Sequence, residues 1–261
     1  MDNNLNTLIN LSFIDLFIGA CLIFISVGLS RWKQLNLERD LIIAGIRTFV
    51  QLIGVGFILK YVFESKQSAL ILFFILIMLV VAVWTVVKGQ KSKSGNLSLI
   101  VTFSLLSSSG ITVFIVTQII INIEPWFSPQ YLIPIAGMVI GNSINGASIA
   151  IDRLDSEIKD KKDKIEALLS LGATSLQAGS DIIKSSMKAS LIPTINSMMV
   201  VGIVSFPGIM TGQILSGISP LTAVKYQIII MYMIAFSVML SSYIIINLRF
   251  KSYFTKYHQF R

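Results

Sequence analysis

Charge is scarce in this chain: 13% of its 261 residues are Asp, Glu, Lys or Arg, against 54% hydrophobic. A soluble domain of this length carries about twice that charge, so a water-soluble globule is excluded. Cysteine is nearly absent. A single residue, Cys21, rules out an intramolecular disulfide and any cysteine-based metal cluster. The only histidine is His258, close to the C-terminus. No Ser/His pair, Asp pair or metal-ligand spacing falls within the apolar stretches, so intramembrane enzyme chemistry has no residues to run on. No internal repeat, low-complexity tract or second domain is visible, and residues 1–261 read as a single membrane domain.

What the chain does have is long apolar runs. They cover 11–30, 41–63, 68–88, 97–123, 131–152, 189–206 and 222–248, each long enough to cross the hydrocarbon of a bilayer as a helix. The expected fold class is an all-α polytopic transmembrane protein of about seven spans. A net charge of +8 raises the question of nucleic acid, and its distribution answers it. With the first loop inside, the inner segments collect Arg31, Lys33 and Arg39, then Lys88, Lys91 and Lys93, then seven cations from Arg153 to Lys188, then Arg249, Lys251, Lys256 and Arg261. Outer segments hold Lys60 and Lys66, while Arg47 and Lys225 fall within spans. This asymmetry follows the positive-inside rule, with the N-terminus out and the C-terminus in. The charge sets orientation, and no nucleic-acid partner is expected. "MDNNLNTL" has no basic stretch of the kind that opens a cleavable signal, so the first span is expected to act as an uncleaved anchor. The expected location is the cell (plasma or inner) membrane, multi-pass.

Residues 153–188 interrupt this pattern. The segment is too polar to span and too short for an independent domain. "DSEIKDKKDK" mixes signs as solvated helix faces do. Beyond it Ile165, Leu168 and Leu169 share one helical face, with Asp163 placed to cap the start and Gly172 to end the helix. Thr174 with Gln177 three residues on is a capping-box pattern that opens a second helix back towards the membrane. The apolar face needs a cover, and three are open: lipid, the protein's own loops, or a partner.

Glu166-Ala167-x-x-x-x-Gly172-Ala173 resembles the coupling-helix motif of bacterial ABC-transporter permeases. "PIAGMVIGNSINGASIA" (134–150), "SLIPTINSMMVVGIVSFPGIMTGQILSG" (190–217) and "AVKYQIIIMYM" (223–233) resemble the FetB family of those permeases, as do Arg47 and Gln51 in "IRTFVQLIGVG". The resemblance covers nearly the whole chain. Bacterial members are linked to iron export and plant relatives to aluminium tolerance. Two positions depart from the family: Ile209 where Met is frequent, and Ser219 where an acidic residue is common, which removes a charge at the outer mouth. The resemblance implies the membrane subunit of an ATP-driven exporter. Glu166, Ala167, Leu168, Leu169 and Gly172 would dock into a separate ATP-binding subunit that holds ATP and magnesium. No cofactor is expected in this chain itself. With one coupling segment per chain, two copies are needed for two ATPase subunits, so a homodimer is the natural inference.

Gly141-x4-Gly146-Ala147-Ser148 has the outline of a phosphate-binding loop, but Ala147 stands where a lysine must reach the phosphates, and the motif lies in a span. Gly137, Gly141 and Ala147 are instead expected to let helices approach closely. Polar groups inside spans mark interiors or cavities, and the candidate pathway is drawn from them: Arg47, Gln51, Asn142, Asn145, Asn196, Met199, Met210, Thr211 and Gln213. Two readings stand for each. Arg47, six residues from the inner end of its run, can snorkel to the cytoplasm or face inward with Gln51 one turn deeper. Asn142, Ser143 and Asn145, like Asn196 and Ser197, can line a path or bond helix to helix. Met198, Met199 and Met210 can offer thioethers to soft ions or pack the core. Pro207-Gly208 breaks the sixth run and leaves "IMTGQILSGISP" as an irregular or short helical outer element. No metal cage is expected. An ATP-independent secondary transporter or channel is the alternative function, weakened by the lack of carboxylates near span centres.

Overall fold

The computed structural model describes residues 12–65, 67–90, 96–255 and 259–260. "MDNNLNTL", Lys66, Lys91, Lys93, Lys256, His258 and Arg261 lie outside the described residues. Helices account for nearly all of what is described: α1 (Phe13–Trp32), α2 (Glu38–Ser65), α3 (Ser68–Gly89), α4 (Leu97–Phe114) running on into a π-helical stretch (Ile115–Ile120), α5 (Pro129–Asp160), α6 (Lys162–Ser170), α7 (Ser175–Ala178), α8 (Ser180–Val200), α9 (Gly208–Leu215) and α10 (Pro220–Ser252). The polytopic all-α class expected from the apolar runs is the class observed.

Contacts divide the chain into two compact units, residues 1–67 with 215–217, and 68–214 with 218–261. In the first, α1 opens on a capping box. The Asp15 amide donates to Ser12 Oγ, and the Ser12 amide donates to the Asp15 carboxylate. Asp15 is thus occupied at a helix start. The turn into α2 is tied by Ser30, whose hydroxyl donates to Glu38 Oε1 at 3.1 Å and accepts from the Leu37 amide. Arg47 and Gln51 are exposed on α2. α2 begins at Glu38, so Arg47 lies about two and a half turns inside the helix, and the charged first turn, Glu38 to Asp40, leaves the apolar run starting at Leu41.

In the second unit, apolar residues of α3, α4, α5 and α10 make one core, including Leu79, Val86, Val101, Leu105, Ile140, Ile151 and Ile245. α5 and α10 run parallel and in register: Ser143 Oγ meets Ser237 Oγ at 2.7 Å, and further along Arg249 binds Asp155. Small residues permit the approach, though not all those expected. A Cβ on Gly146 would stand 2.6 Å from Val238 Cγ1 and one on Gly137 3.2 Å from Met78 Cε, but Gly141 has open space. Ala147 is fully buried as foreseen.

Among the described residues, six helices are long and apolar enough to cross a membrane: α1, α2, α3, α4 with its π-helical stretch, α5 and α10. The expected run at 189–206 does not form one continuous span. α8 starts earlier, at Ser180, and its first half carries Asp181, Lys184 and Lys188; it stops at Val200, where the chain turns through Gly202 at φ +82°. Even so, α8 runs back along α5, from Ser185 beside Glu157 to Ser197 in a cavity shared with Asn142. It is therefore a seventh helix, packed against α5 and α10, and its second half falls on the apolar run the sequence marked. Pro207-Gly208 then opens the short helix α9, one of the two forms that the breaks in the sequence allowed.

Candidate functional site

The polar residues of α5 and α8 converge. Asn142 and Asn145 of α5, Ser190, Thr194 and Ser197 of α8, and Met231 of α10 line a cavity of about 120 Å³. The helical period explains the convergence. Asn142, Asn145 and Ile149 share one face of α5, while Ser190, Thr194 and Ser197 share one face of α8. Asn142 is half-buried and donates from Nδ2 to the Met138 carbonyl at 2.8 Å, while Asn145 stays exposed. Ser143, on the neighbouring face, is the helix-to-helix bond described above.

The remaining candidates do not join this cavity. Asn196 and Met199 are exposed on α8, pointing away from it, and Met210 is buried in α9. Thr211 turns its hydroxyl to the Pro207 carbonyl at 3.1 Å. Gln213 lines a second cavity of about 140 Å³ with Gln130, Tyr131 and Tyr226, where its Oε1 is buried without a hydrogen-bond partner among the described residues. Sequence reasoning missed Ser190 and Thr194. Ser190, Thr194 and Ser197 follow one another at four and three residues, and that helical spacing was the available signal.

The helix-turn-helix at 162–178 is closed by local hydrogen bonds on both sides of its turn. Gly172 sits at φ +87°, and the Gly172 and Ala173 amides donate to the Leu169 and Leu168 carbonyls, each at 3.0 Å. That pair of bonds closes the helix C-terminus in a Schellman turn, which a side chain at Gly172 would strain. Thr174 and Gln177 form the expected capping box: Gln177 Oε1 accepts from the Thr174 amide at 2.9 Å, and the Gln177 amide donates to Thr174 Oγ1. Asp163 does not cap α6. Lys161 occupies that position without a side-chain bond, and Asp163 lies in the first turn, where its charge still favours the helix dipole.

The apolar face of α6 is covered by the protein itself. Ile165 is buried, and Leu168 and Leu169 pack partly beneath it, in a cluster with Leu154, Ile158, Ala178, Ile182, Ile246 and Phe250. Glu166, Ala167 and Gly172 face outward. Beside them Leu171 is 84% and Leu176 52% exposed, so the tip of the turn presents two bare leucines.

Below this tip lie buried charges. Arg249 is 1% exposed and holds Asp155 through both arms, Nε to Oδ1 at 3.1 Å and Nη2 to Oδ2 at 2.8 Å, with Nη2 also donating to Tyr253 Oη at 3.3 Å. Burial, with Asp155 alongside, pushes the Tyr253 phenol up to about 12. Glu157 is 5% exposed and gathers Arg153 Nε and Lys161 Nζ, both at 2.7 Å, and the Ser185 hydroxyl of α8. The reading of "DSEIKDKKDK" as a solvated face fails at these positions. Asp155 and Glu157 turn inward because the cations they meet are on α10, on α8's side of α5, or one turn away.

Fold and cavity together define a multi-pass helical membrane protein with a polar seam between α5, α8 and α10 and a helix-turn-helix at one end of those helices. The chain belongs to UPF0014, an uncharacterised protein family, which residues 13–254 match. It is 39% identical over 254 residues to a UPF0014 membrane protein of Synechocystis, covering 97% of this chain and 98% of the relative. Over 251 residues it is 34% identical to the probable iron export permease protein FetB of Escherichia coli K12, covering 96% and 95%. Over 238 residues it is 36% identical to the ALUMINUM SENSITIVE 3 protein of Arabidopsis thaliana, covering 91% and 85%. The FetB resemblance carried by residues 134–150, 190–217 and 223–233 is thereby established. No solved structure matches the chain.

Proposed function

We propose that this chain is the permease subunit of an ATP-driven exporter, with a metal such as iron as cargo. It takes its energy from a separate ATP-binding chain docked on α6 and α7. The observation that carries this reading is the α6–Gly172–α7 turn. It is rigidly capped at both ends, packed on its inner side by Ile165, and bare on its outer side at Glu166, Ala167, Leu171 and Leu176. A short helix pair built this way fits a cleft and passes on a push rather than absorbing it. The name carried by the Escherichia coli relative supports iron as the cargo class. Among the described residues no group of three or more His, Cys, Asp or Glu stands together. Cargo would therefore meet amides, hydroxyls and thioethers along Asn142, Asn145, Thr194, Ser197 and Met231. Such weak ligands ease release. ATP and magnesium belong to the partner chain, and two copies of the permease, each with one coupling turn, would engage two ATPase subunits. The inner placement of α6 and α7 follows from the cations gathered there.

The test is cargo efflux from proteoliposomes holding the permease with its ATP-binding chain. Glu166→Lys and Gly172→Pro are expected to abolish capture of that chain in detergent, the first by reversing a charge on the docking face, the second because proline cannot adopt φ +87°. Undiminished capture would reject the docking role. Flux driven by an ion gradient without nucleotide would instead favour a secondary transporter or channel.

A further inference from the structure

Three helices line the polar cavity, and the charges buried at their inner ends serve no reaction. A buried ion pair is a poor source of stability, because desolvation offsets the attraction and well-packed apolar residues do as well. What it supplies is geometry. The forked Arg249–Asp155 contact fixes both the spacing and the rotation of α10 against α5, whereas leucines in the same place would let the helices slide. Glu157 does the same for α8 through Ser185, while its other contacts, Arg153 and Lys161, lie on either side of it on α5 and at the entry to α6. Next to Arg249, Phe250 presses into the α7–α8 junction, where the ring occupies the space a Gly179 side chain would need. Thus α6 and α7 touch α5, α8 and α10 through Ile165, Ala178 and Phe250 at the same level where those helices are tied to one another.

We propose that Asp155, Glu157 and Arg249 are positioning residues that lock the inner ends of α5, α8 and α10 to the α6–α7 turn, so that a displacement imposed there moves the three helices lining the polar cavity as one body. This rests on the reading of α6–α7 as a docking site. The cavity lies about 18 Å along α5 from the lock, twelve residues from Glu157 to Asn145 at helical rise, so a small tilt at the base is carried to the seam as a larger shift.

The decisive variant replaces the pair with apolar residues of similar volume, Asp155→Leu with Arg249→Met, which keeps the packing and removes the fork. In the free full-length permease, backbone amides of 161–179 are expected to exchange hydrogen at least tenfold faster while the thermal midpoint stays near the wild-type value. In the reconstituted complex, cargo moved per ATP hydrolysed is expected to fall at least fivefold, while capture of the ATP-binding chain stays within twofold. Wild-type exchange together with a wild-type transport ratio overturns the proposal. So does parallel loss of capture, thermal midpoint and transport, which marks a merely structural pair. Should the double variant not fold, Glu157→Gln is read by the same measures, with the same two outcomes. If the wild-type complex moves no cargo on ATP, the docking reading fails by itself, and the exchange experiment on the free chain still decides whether the lock exists.

Discussion

Gly179 has no room for a methyl group: a Cβ there would stand 2.1 Å from Phe250 Cζ. The residue is glycine because an aromatic ring from α10 needs its place. Gly179→Ala should lower the thermal midpoint of the detergent-solubilised protein, and adding Phe250→Leu should recover part of the loss. Phe250→Ala alone should cost about 3–5 kcal/mol, as buried aromatic truncations do. Failure of the leucine to rescue would mean that the ring is not what excludes the methyl. Tyr253 gives a second residue-level outcome. Its phenol is pushed up to about 12, mainly by burial, so the folded chain keeps a proton that the unfolded chain sheds near pH ~10. That contribution is complete below pH ~10 and is lost as pH climbs towards the folded value. An ultraviolet difference titration of wild type against Tyr253→Phe should show one phenol ionising near the top of the range, absent in the variant. Single residues were legible in the sequence where their partners are local. Gly172, Thr174 and Gln177 could be read because each bond spans five residues or fewer. Asp155 and Arg249 could not, since their contact joins positions 94 apart.

At the scale of elements, the seam between α5 and α8 is where the polar residues of the spans gather around a cavity. Thr194→Leu or Ser197→Leu should fill the cavity and remove its hydroxyls. Efflux is then expected to drop by an order of magnitude or more, with capture of the ATP-binding chain unchanged; normal efflux would remove these residues from the path. The asparagines of α5 were visible as oddities in an apolar run, but which of them share a cavity depends on helix rotation, and that is set by contacts the sequence does not print. Asn196 and Ser197 illustrate the limit, since adjacent residues point a quarter-turn or more apart and only Ser197 lines the cavity. Asp163 failed as a cap for a different reason. α5 ends at Asp160 and α6 begins two residues later, at Lys162, so no extended residue separates them and a capping side chain has no place to act.

At the scale of the whole molecule, burial is uneven. Within the second unit, half of the spanning window of α5 is buried, against 22% in α3. With one coupling turn per chain, two copies are needed to engage two ATP-binding chains. Light scattering of the purified permease, corrected for detergent, should return twice the 28.8 kDa of one chain; a monomer mass in the active complex would reject the dimer. The polytopic class was plain from runs of apolar residues, which need no knowledge of tertiary contact. The run at 189–206 marked the second half of α8, but its start at Ser180 was not legible, because Asp181, Lys184 and Lys188 read as part of the polar segment before it.

The charged start of α8 has a consequence for biogenesis. Helices lying side by side and pointing the same way cannot be joined by a hairpin, so the stretch between α5 and α10 must make a round trip, and α8 is its return leg. A segment whose three charges stay at its inner end and whose apolar part stops at Val200 is too short to be a good client for insertion when presented alone. Its admission to the bilayer would then depend on Glu157 and the flanks of its neighbours already being there to receive it, which makes the assembly of this protein cooperative and ordered rather than a string of independent insertions.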